Sequence, residues 1–173
     1  ALETSGNLRG KVIVKTPKPV SEKVAVHQDQ TACGDWVESN ALLISAKKEV
    51  ANVIISIEKI TQGKPLNSAI TALTQKGCQF IPRVQAISQP GKLVMENQDA
   101  ALHTANASQH QKSLFNAAFP IKGMKIKKKI KKSGMVEFSC DAGHHWMKAF
   151  VYISPHPYVD VTSPDGTFEL PQI

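Results

Sequence analysis

The sequence predicts an all-β fold, with antiparallel strands closed into a sandwich or barrel. Three observations lead there. Strand-length segments alternate apolar and polar residues or are dense in β-branched ones. They recur about every ten residues, punctuated by Gly, Pro or Asn. Helix-period patterns are sparse.

Residues 8–15 alternate, with Val12 and Val14 on one face, and residues 23–27 alternate as well. Residues 52–57 carry Val53, Ile54, Ile55 and Ile57, whose branched side chains suit a pleated sheet. Further strands are expected at 80–87, 92–96, 135–140 and 149–154. A last pair, 159–162 and 167–170, is joined by Pro164, Asp165 and Gly166, a turn signal that predicts a short C-terminal hairpin. Residues 41–51 have room for a helical turn or two. Residues 65–75, with Asn67, Ala69, Ile70, Ala72 and Leu73, are the better short-helix candidate.

Residues 122–132 need a decision, because seven lysines invite a helical reading. The apolar positions oppose it. Met124, Ile126 and Ile130 are even-numbered, while Lys125, Lys127, Lys129 and Lys131 are odd. That is period 2: one face inward, the other a row of lysines. Lys128 interrupts the inward face, as expected of an edge strand or a bulge.

The chain has 173 residues, 42% hydrophobic and 20% charged. One domain of this size buries roughly two-thirds of its unfolded surface and needs no metal merely to fold. No apolar run approaches the ~18 residues of a membrane span. The net charge is +7, and the seven lysines of 122–132 account for it, because the other 14 basic and 14 acidic residues cancel. The basicity is therefore a local strip. The first residue is Ala1, as in a processed N-terminus, which points to export. Three cysteines, Cys33, Cys78 and Cys140, are an odd number. In an exported protein that implies one disulfide and one cysteine with another task.

The segment 139–147 carries the chemistry. Cys140, His144 and Met147 lie within eight residues, directly after one expected strand and directly before another. A thiolate, an imidazole and a thioether together select copper over harder metals, and two His, one Cys and a long axial Met form a blue-copper site. The second histidine must come from elsewhere. His103, just beyond the expected 92–96 strand, meets this loop if strand-end loops gather at one pole of a sandwich. Zinc would accept Cys and two His, but prefers a strong fourth ligand to a thioether.

At these residues the sequence resembles the cupredoxins, and most of all a bacterial exported group. The matching positions are Asn97, Asp99 and His103; Phe115 and Asn116; Pro120 and Gly123; Cys140, Asp141, His144, Trp146 and Met147; His156, Pro157 and Tyr158; Val161 and Thr162; and Asp165, Gly166 and Phe168. Earlier, Gly10, Val12, Cys33, Gly34, Gly77, Cys78, Phe80, Pro82, Arg83 and Val84 are similar too. The resemblance implies a Greek-key antiparallel β-sandwich with N-terminal extension strands. Residues 1–155 would form the cupredoxin-like domain and 156–173 a hairpin extension. It further implies a Cys33–Cys78 disulfide tying the N-terminal segment to the strand at Phe80. Copper would be held by His103, Cys140, His144 and Met147.

Two departures stand out. The group usually has two residues between Cys and His; here there are three, and the histidine is doubled. Keeping His-x-Trp-Met intact names His144 and makes Gly143 the extra residue. Counting four residues from the cysteine, as in azurin-like members, names His145 instead. The residue after the first copper histidine is commonly Asn and here is Thr104, while Asp141 stands where Thr or Ser often follows the cysteine. A Thr104 hydroxyl donating to Asp141 would restore that brace with roles exchanged. Trp146 is read as a packing plug beside the loop, His156 as part of a turn leaving the copper pole, and His27 and His110 as surface residues.

The function these residues point to is electron transfer by an exported protein, periplasmic or on the outer face of the cytoplasmic membrane, making and breaking no substrate bond. The alternative is a metal-free cupredoxin-like docking subunit of a membrane-bound redox assembly. The lysine strip, Lys125, Lys127, Lys129 and Lys131 foremost, suits an acidic redox protein, an acidic subunit of a membrane complex or an anionic membrane surface. An enzyme finds little support, with no Gly-x-Ser-x-Gly, His-Glu-x-x-His or phosphate-loop pattern. Nucleic acid is a poor partner, because the strip lacks interleaved aromatics.

Overall fold

The computed structural model describes residues 6–16, 23–66 and 70–173. Two sheets face each other. One contains β7 (Val84–Ser88), β9 (His103–Gln109), β10 (Lys112–Phe119), β12 (Gly134–Ser139) and β13 (Lys148–Ser154), in the order β10-β9-β12-β13-β7. The other contains β5 (Ile70–Gln75), β6 (Phe80–Ile81), β8 (Gly91–Asn97) and β11 (Lys125–Ile130), in the order β11-β8-β5-β6. Leu73, Phe80, Leu93, Met95 and Ile130 from the second sheet pack against Ala107, Phe119, Val136, Phe138 and Val151 from the first. Phe80 meets Phe138 edge to face across the gap, with ring centroids 6.4 Å apart. This is the all-β sandwich that the alternating segments predict. Two pairings are parallel, β13 with β7 and β5 with β8; the rest are antiparallel.

Three ribbons flank the sandwich. β1 (Leu8–Lys11) pairs β15 (Thr167–Leu170), β2 (Lys23–Ala25) pairs β3 (Trp36–Glu38), and β4 (Ile54–Ser56) pairs β14 (Val159–Val161). The expected C-terminal hairpin is therefore corrected. The turn forms, with Gly166 N–H donating to the Ser163 carbonyl, but its arms do not pair with each other: β15 pairs β1 and β14 pairs β4. The left-handed φ of +75° at Gly166 favours glycine, and a Cβ there would come within 2.6 Å of the Val12 carbonyl oxygen. That close approach draws the turn onto the N-terminal segment.

The helix expected at 65–75 is a second correction. Residues 67–69 lie outside the described residues, and Ile70–Gln75 is strand β5. Its Leu73 and Gln75 point into the core while Ile70 and Ala72 point out, because β8 and β6 offer ladder partners on either side. Residues 41–51 hold no helix; they form a turn closed by Ser45 and an Ile44–Val50 bridge. The α-helix among the described residues is α1 (Gln30–Cys33), which the sequence reading did not anticipate. The expected strand 80–87 divides into β6 and β7, which belong to different sheets. Pro82, with no N–H to give a ladder, sits at the crossing.

β11 is a strand with the predicted alternation and lies at the edge of its sheet. Its register against β8 is unbroken, so there is no bulge at Lys128. Lys128 instead lays its ammonium over the Phe115 ring, 5.1 Å from the centroid.

Candidate metal centre

The β8–β9 connection, the β12–β13 loop and the β5–β6 turn meet at one pole of the sandwich. Asn97 organises the first. Its side-chain amide donates to the carbonyls of Ala101 (2.9 Å) and Phe119 (3.0 Å), and its oxygen accepts the Asp99 N–H at 2.9 Å. Asp99, so placed, accepts the N–H groups of Gly77 (2.7 Å) and Cys78 (2.9 Å), and its Oδ2 lies 3.0 Å from His103 Nε2. The Asn97–Asp99–His103 spacing thus locks three segments together and turns the other ring nitrogen of His103 inward.

The loop after β12 closes on itself. Cys140 N–H donates to the Met147 carbonyl at 3.3 Å, and Met147 N–H to the His144 carbonyl at 2.9 Å. Gly143 makes the bend with φ +90°. His144 turns inward and is fully buried, while His145 turns out and lines a cleft of about 210 Å³ with Arg83 and Lys148. Trp146 packs edge-on against His144, with centroids 5.4 Å apart, and its indole N–H donates to the Cys78 carbonyl at 2.9 Å. That contact joins the loop to the disulfide, since Cys33 and Cys78 are linked and Cys140 is free and buried.

His103, Cys140 and His144 converge. The two Nδ1 atoms are 3.2 Å apart, and Cys140 Sγ lies 3.9 Å from His103 Nδ1 and 3.7 Å from His144 Nδ1. A point equidistant from these three atoms is about 2.1 Å from each, which matches ordinary metal–imidazole bonds and is slightly short for metal–thiolate ones. The donors therefore fit a copper-sized ion without rearranging the strands. Met147, in the same loop, is buried.

Electrostatics favour a thiolate. Burial pushes the Cys140 thiol up, but hydrogen bonds with His103, the Thr104 amide, His144 and the backbone at Ala142 outweigh it and bring the pKa down to about 6. At His103, burial disfavours the charged ring, while Cys140 and Asp99 favour it more strongly, so its pKa is raised.

Thr104 and Asp141 do brace the loop, with the direction corrected. The Thr104 hydroxyl accepts the Asp141 backbone N–H at 2.7 Å, and the Thr104 N–H donates to Cys140 Sγ at 3.3 Å. The Asp141 carboxylate is used elsewhere, accepting the side-chain amides of Asn106 (2.8 Å) and Asn116 (3.0 Å). His27 and His110 are exposed, and His156 sits in a turn where its Nδ1 accepts the Tyr158 N–H.

No protein-family model matches the sequence. No curated protein matches it either. Among solved structures, a copper-containing nitrite reductase from Thermus scotoductus SA-01 is similar over 56% of this chain, at 18% identity and a TM-score of 0.45. The chain spans 25% of that reductase's length. A purple cupredoxin from Nitrosopumilus maritimus covers 44% of this chain and 82% of its own, at 19% identity and a TM-score of 0.40. A variant of amicyanin in the Cu(I) form covers 48% and 80%, at 10% identity and 0.41. Overlaps this loose do not say what this chain does. Its own two sheets and shared core define a β-sandwich. No helix among the described residues is long and apolar enough to cross a membrane.

Proposed function

We propose that this chain is an exported type 1 copper electron-transfer protein or subunit, acting at the periplasm or the outer face of the cytoplasmic membrane. The observation that carries the reading is the buried triangle of His103 Nδ1, His144 Nδ1 and Cys140 Sγ, with Met147 in the same loop. Copper held there would supply one-electron transfer between Cu(II) and Cu(I), states that this mix of soft and borderline donors accommodates. Cys140 offers the thiolate, His103 and His144 the imidazoles, and Met147 a weak axial thioether. Asn97, Asp99, Thr104 and Trp146 hold those donors in position, so little has to move when an electron arrives.

The lysine strip would bring the partner. Lys125 stands opposite Glu96, one residue before Asn97, so the strip begins beside the metal pole and runs away from it along an edge strand. Lys129 lies directly opposite Lys92, a like-charge pair that costs stability. Shielding an edge does not require that cost, whereas an acidic redox partner would make use of it.

Visible spectroscopy with metal analysis tests the reading. Protein loaded with Cu(II) is expected to be blue with one copper per chain, and Cys140→Ser to lose the colour because the band arises from the copper–thiolate bond. A wild-type protein that stays colourless and takes up no stoichiometric metal would overturn electron transfer and leave the docking subunit.

A further inference from the structure

Both candidate histidine ligands have a carboxylate at the nitrogen facing away from the triangle. Asp99 Oδ2 is hydrogen-bonded to His103 Nε2 at 3.0 Å, while Asp29 Oδ2 lies 3.2 Å from His144 Nε2 as a charged neighbour, with Cys33 Sγ 3.7 Å from the same nitrogen. The two carboxylates are held very differently. Asp99 is buried and also binds two backbone N–H groups of the β5–β6 turn. The Asp29 side chain is 42% exposed and belongs to a segment outside both sheets.

That segment is fastened over His144 at several points. The Gln28 side-chain amide donates to the Ala142 carbonyl in the metal loop. Gly143 leaves the space, since a Cβ there would collide with the Gln28 side-chain amide. The Asp29 carbonyl accepts the N–H groups of Ala32 and Cys33, starting α1. Cys33 is then bonded to Cys78, whose own N–H is held by Asp99. A closed chain of contacts thus runs from one histidine to the other: His103, Asp99, Cys78, Cys33, α1, Asp29, His144. The residue that departs from the usual loop length, Gly143, is the one that admits the cover.

We propose that Asp29 is a positioning residue for the candidate metal centre: its carboxylate beside Nε2 of His144 favours the proton there, leaves Nδ1 as the donor facing Cys140 and His103, and is kept there by the Cys33–Cys78 disulfide. This rests on the copper reading above. A carboxylate on the far nitrogen fixes the tautomer, makes the imidazole a stronger donor and favours the more highly charged metal state.

The test uses Asp29→Ala, Asp29→Glu and a Cys33→Ser/Cys78→Ser variant of the whole chain. In metal-free protein, nitrogen-15 NMR of the His144 ring is expected to show the proton on Nε2, and Asp29→Ala to shift that signal or mix the tautomers. Asp29→Glu should restore it. In copper-loaded protein, Asp29→Ala should weaken Cu(II) binding about 10- to 100-fold, as loss of such a partner typically does. The reduction potential should rise by about 59 mV for each tenfold if Cu(I) affinity is unchanged. Removing the disulfide should shift the potential the same way, and Asp29→Ala added to it should shift it little further. A His144 ring signal indifferent to Asp29→Ala would overturn the proposal. So would a response of the ring with no change in copper affinity or potential. A protein that shows the ring response yet binds no copper would overturn the copper reading and leave the Asp29–His144 contact standing.

Discussion

Asn97 shows how much one buried side chain does at this pole. It is fully buried and makes three hydrogen bonds, two as donor and one as acceptor. Asn97→Ala strands two carbonyls and one N–H without water, at a cost of about 3 kcal/mol. A lowered denaturant midpoint with an unchanged m-value is the expected result, measured on metal-free protein so that loss of copper does not contribute. The adjacent histidines make a sharper pair. His144→Ala should destroy the blue site, because it removes one corner of the triangle. His145→Ala should leave the colour intact, because that ring faces the outer cleft. A colourless His145→Ala beside a blue His144→Ala would reverse the assignment. Met147 lies in the same loop and is buried, so Met147→Leu should keep the fold within about 1.5 kcal/mol. It should keep the blue colour while moving the potential, which voltammetry reads directly.

At the scale of the element, β11 and the turn after β14 are the informative cases. The outward lysines of β11 are solvated, and reversing Lys127, Lys129 and Lys131 to Glu changes six units of charge on one face. The expectation is slower or abolished association with the native partner, an unchanged visible spectrum and an unfolding midpoint no lower than that of the wild type, since Lys129→Glu relieves the repulsion with Lys92. The wild-type association should itself weaken as salt rises, since the Debye length is about 8 Å at physiological ionic strength. Association indifferent to both changes would reduce the strip to protection of a sheet edge. In the turn, hydrogen bonds from Ser163 and Thr167 hold the Asp165 carboxyl down at about 2, from an ordinary value of 3.8. A depressed carboxylate contributes stability that is present above its unfolded pKa and lost as pH falls through the folded one. Asp165→Asn should therefore lower stability at neutral pH, flatten the acid limb between about pH 4 and pH 2, and converge with the wild type below it. Thermal melts across that range would check it.

For the whole molecule, the decisive feature is that two of its three flanking ribbons join segments far apart in sequence. β1 pairs β15 and β4 pairs β14, so early and late segments of the chain close around the sandwich. The Cys33–Cys78 bridge spans 45 residues, and loop-closure entropy for such a loop amounts to about 4 kcal/mol. Its replacement by two serines should lower the melting temperature markedly at neutral pH. If the bridge also holds the cover over His144, copper exchange should quicken even below that melting transition. The charge distribution acts on the same scale. With the rest of the sequence electrically balanced, the net charge of +7 equals the seven lysines of 122–132, and the proposed docking role rests on their concentration in one segment.

Local chemistry made much of this legible beforehand. Period-2 alternation identified β11 despite its lysines, because side chains on a strand must alternate faces whatever their charge. The donor types of His103, Cys140, His144 and Met147 marked a candidate metal site, and the structure brings His103, Cys140 and His144 together. Where local signals were weak, the fold went unread. β9 and β10 were not expected, since His103, Ala105, Ala107 and Gln109 fill the inward face of β9 with small or polar groups. Their turn, His110 and Gln111, takes left-handed φ values without the usual Asn or Gly. Residues 70–75 alternate only weakly, and it was the ladders of β6 and β8 that made them a strand. Periodicity and residue type belong to neighbours in sequence, and those the sequence alone determines. The direction of the Thr104 brace, the partners of the C-terminal strands and the approach of Asp29 to His144 depend on segments that meet only when the sheets close, so the tertiary structure alone decided them.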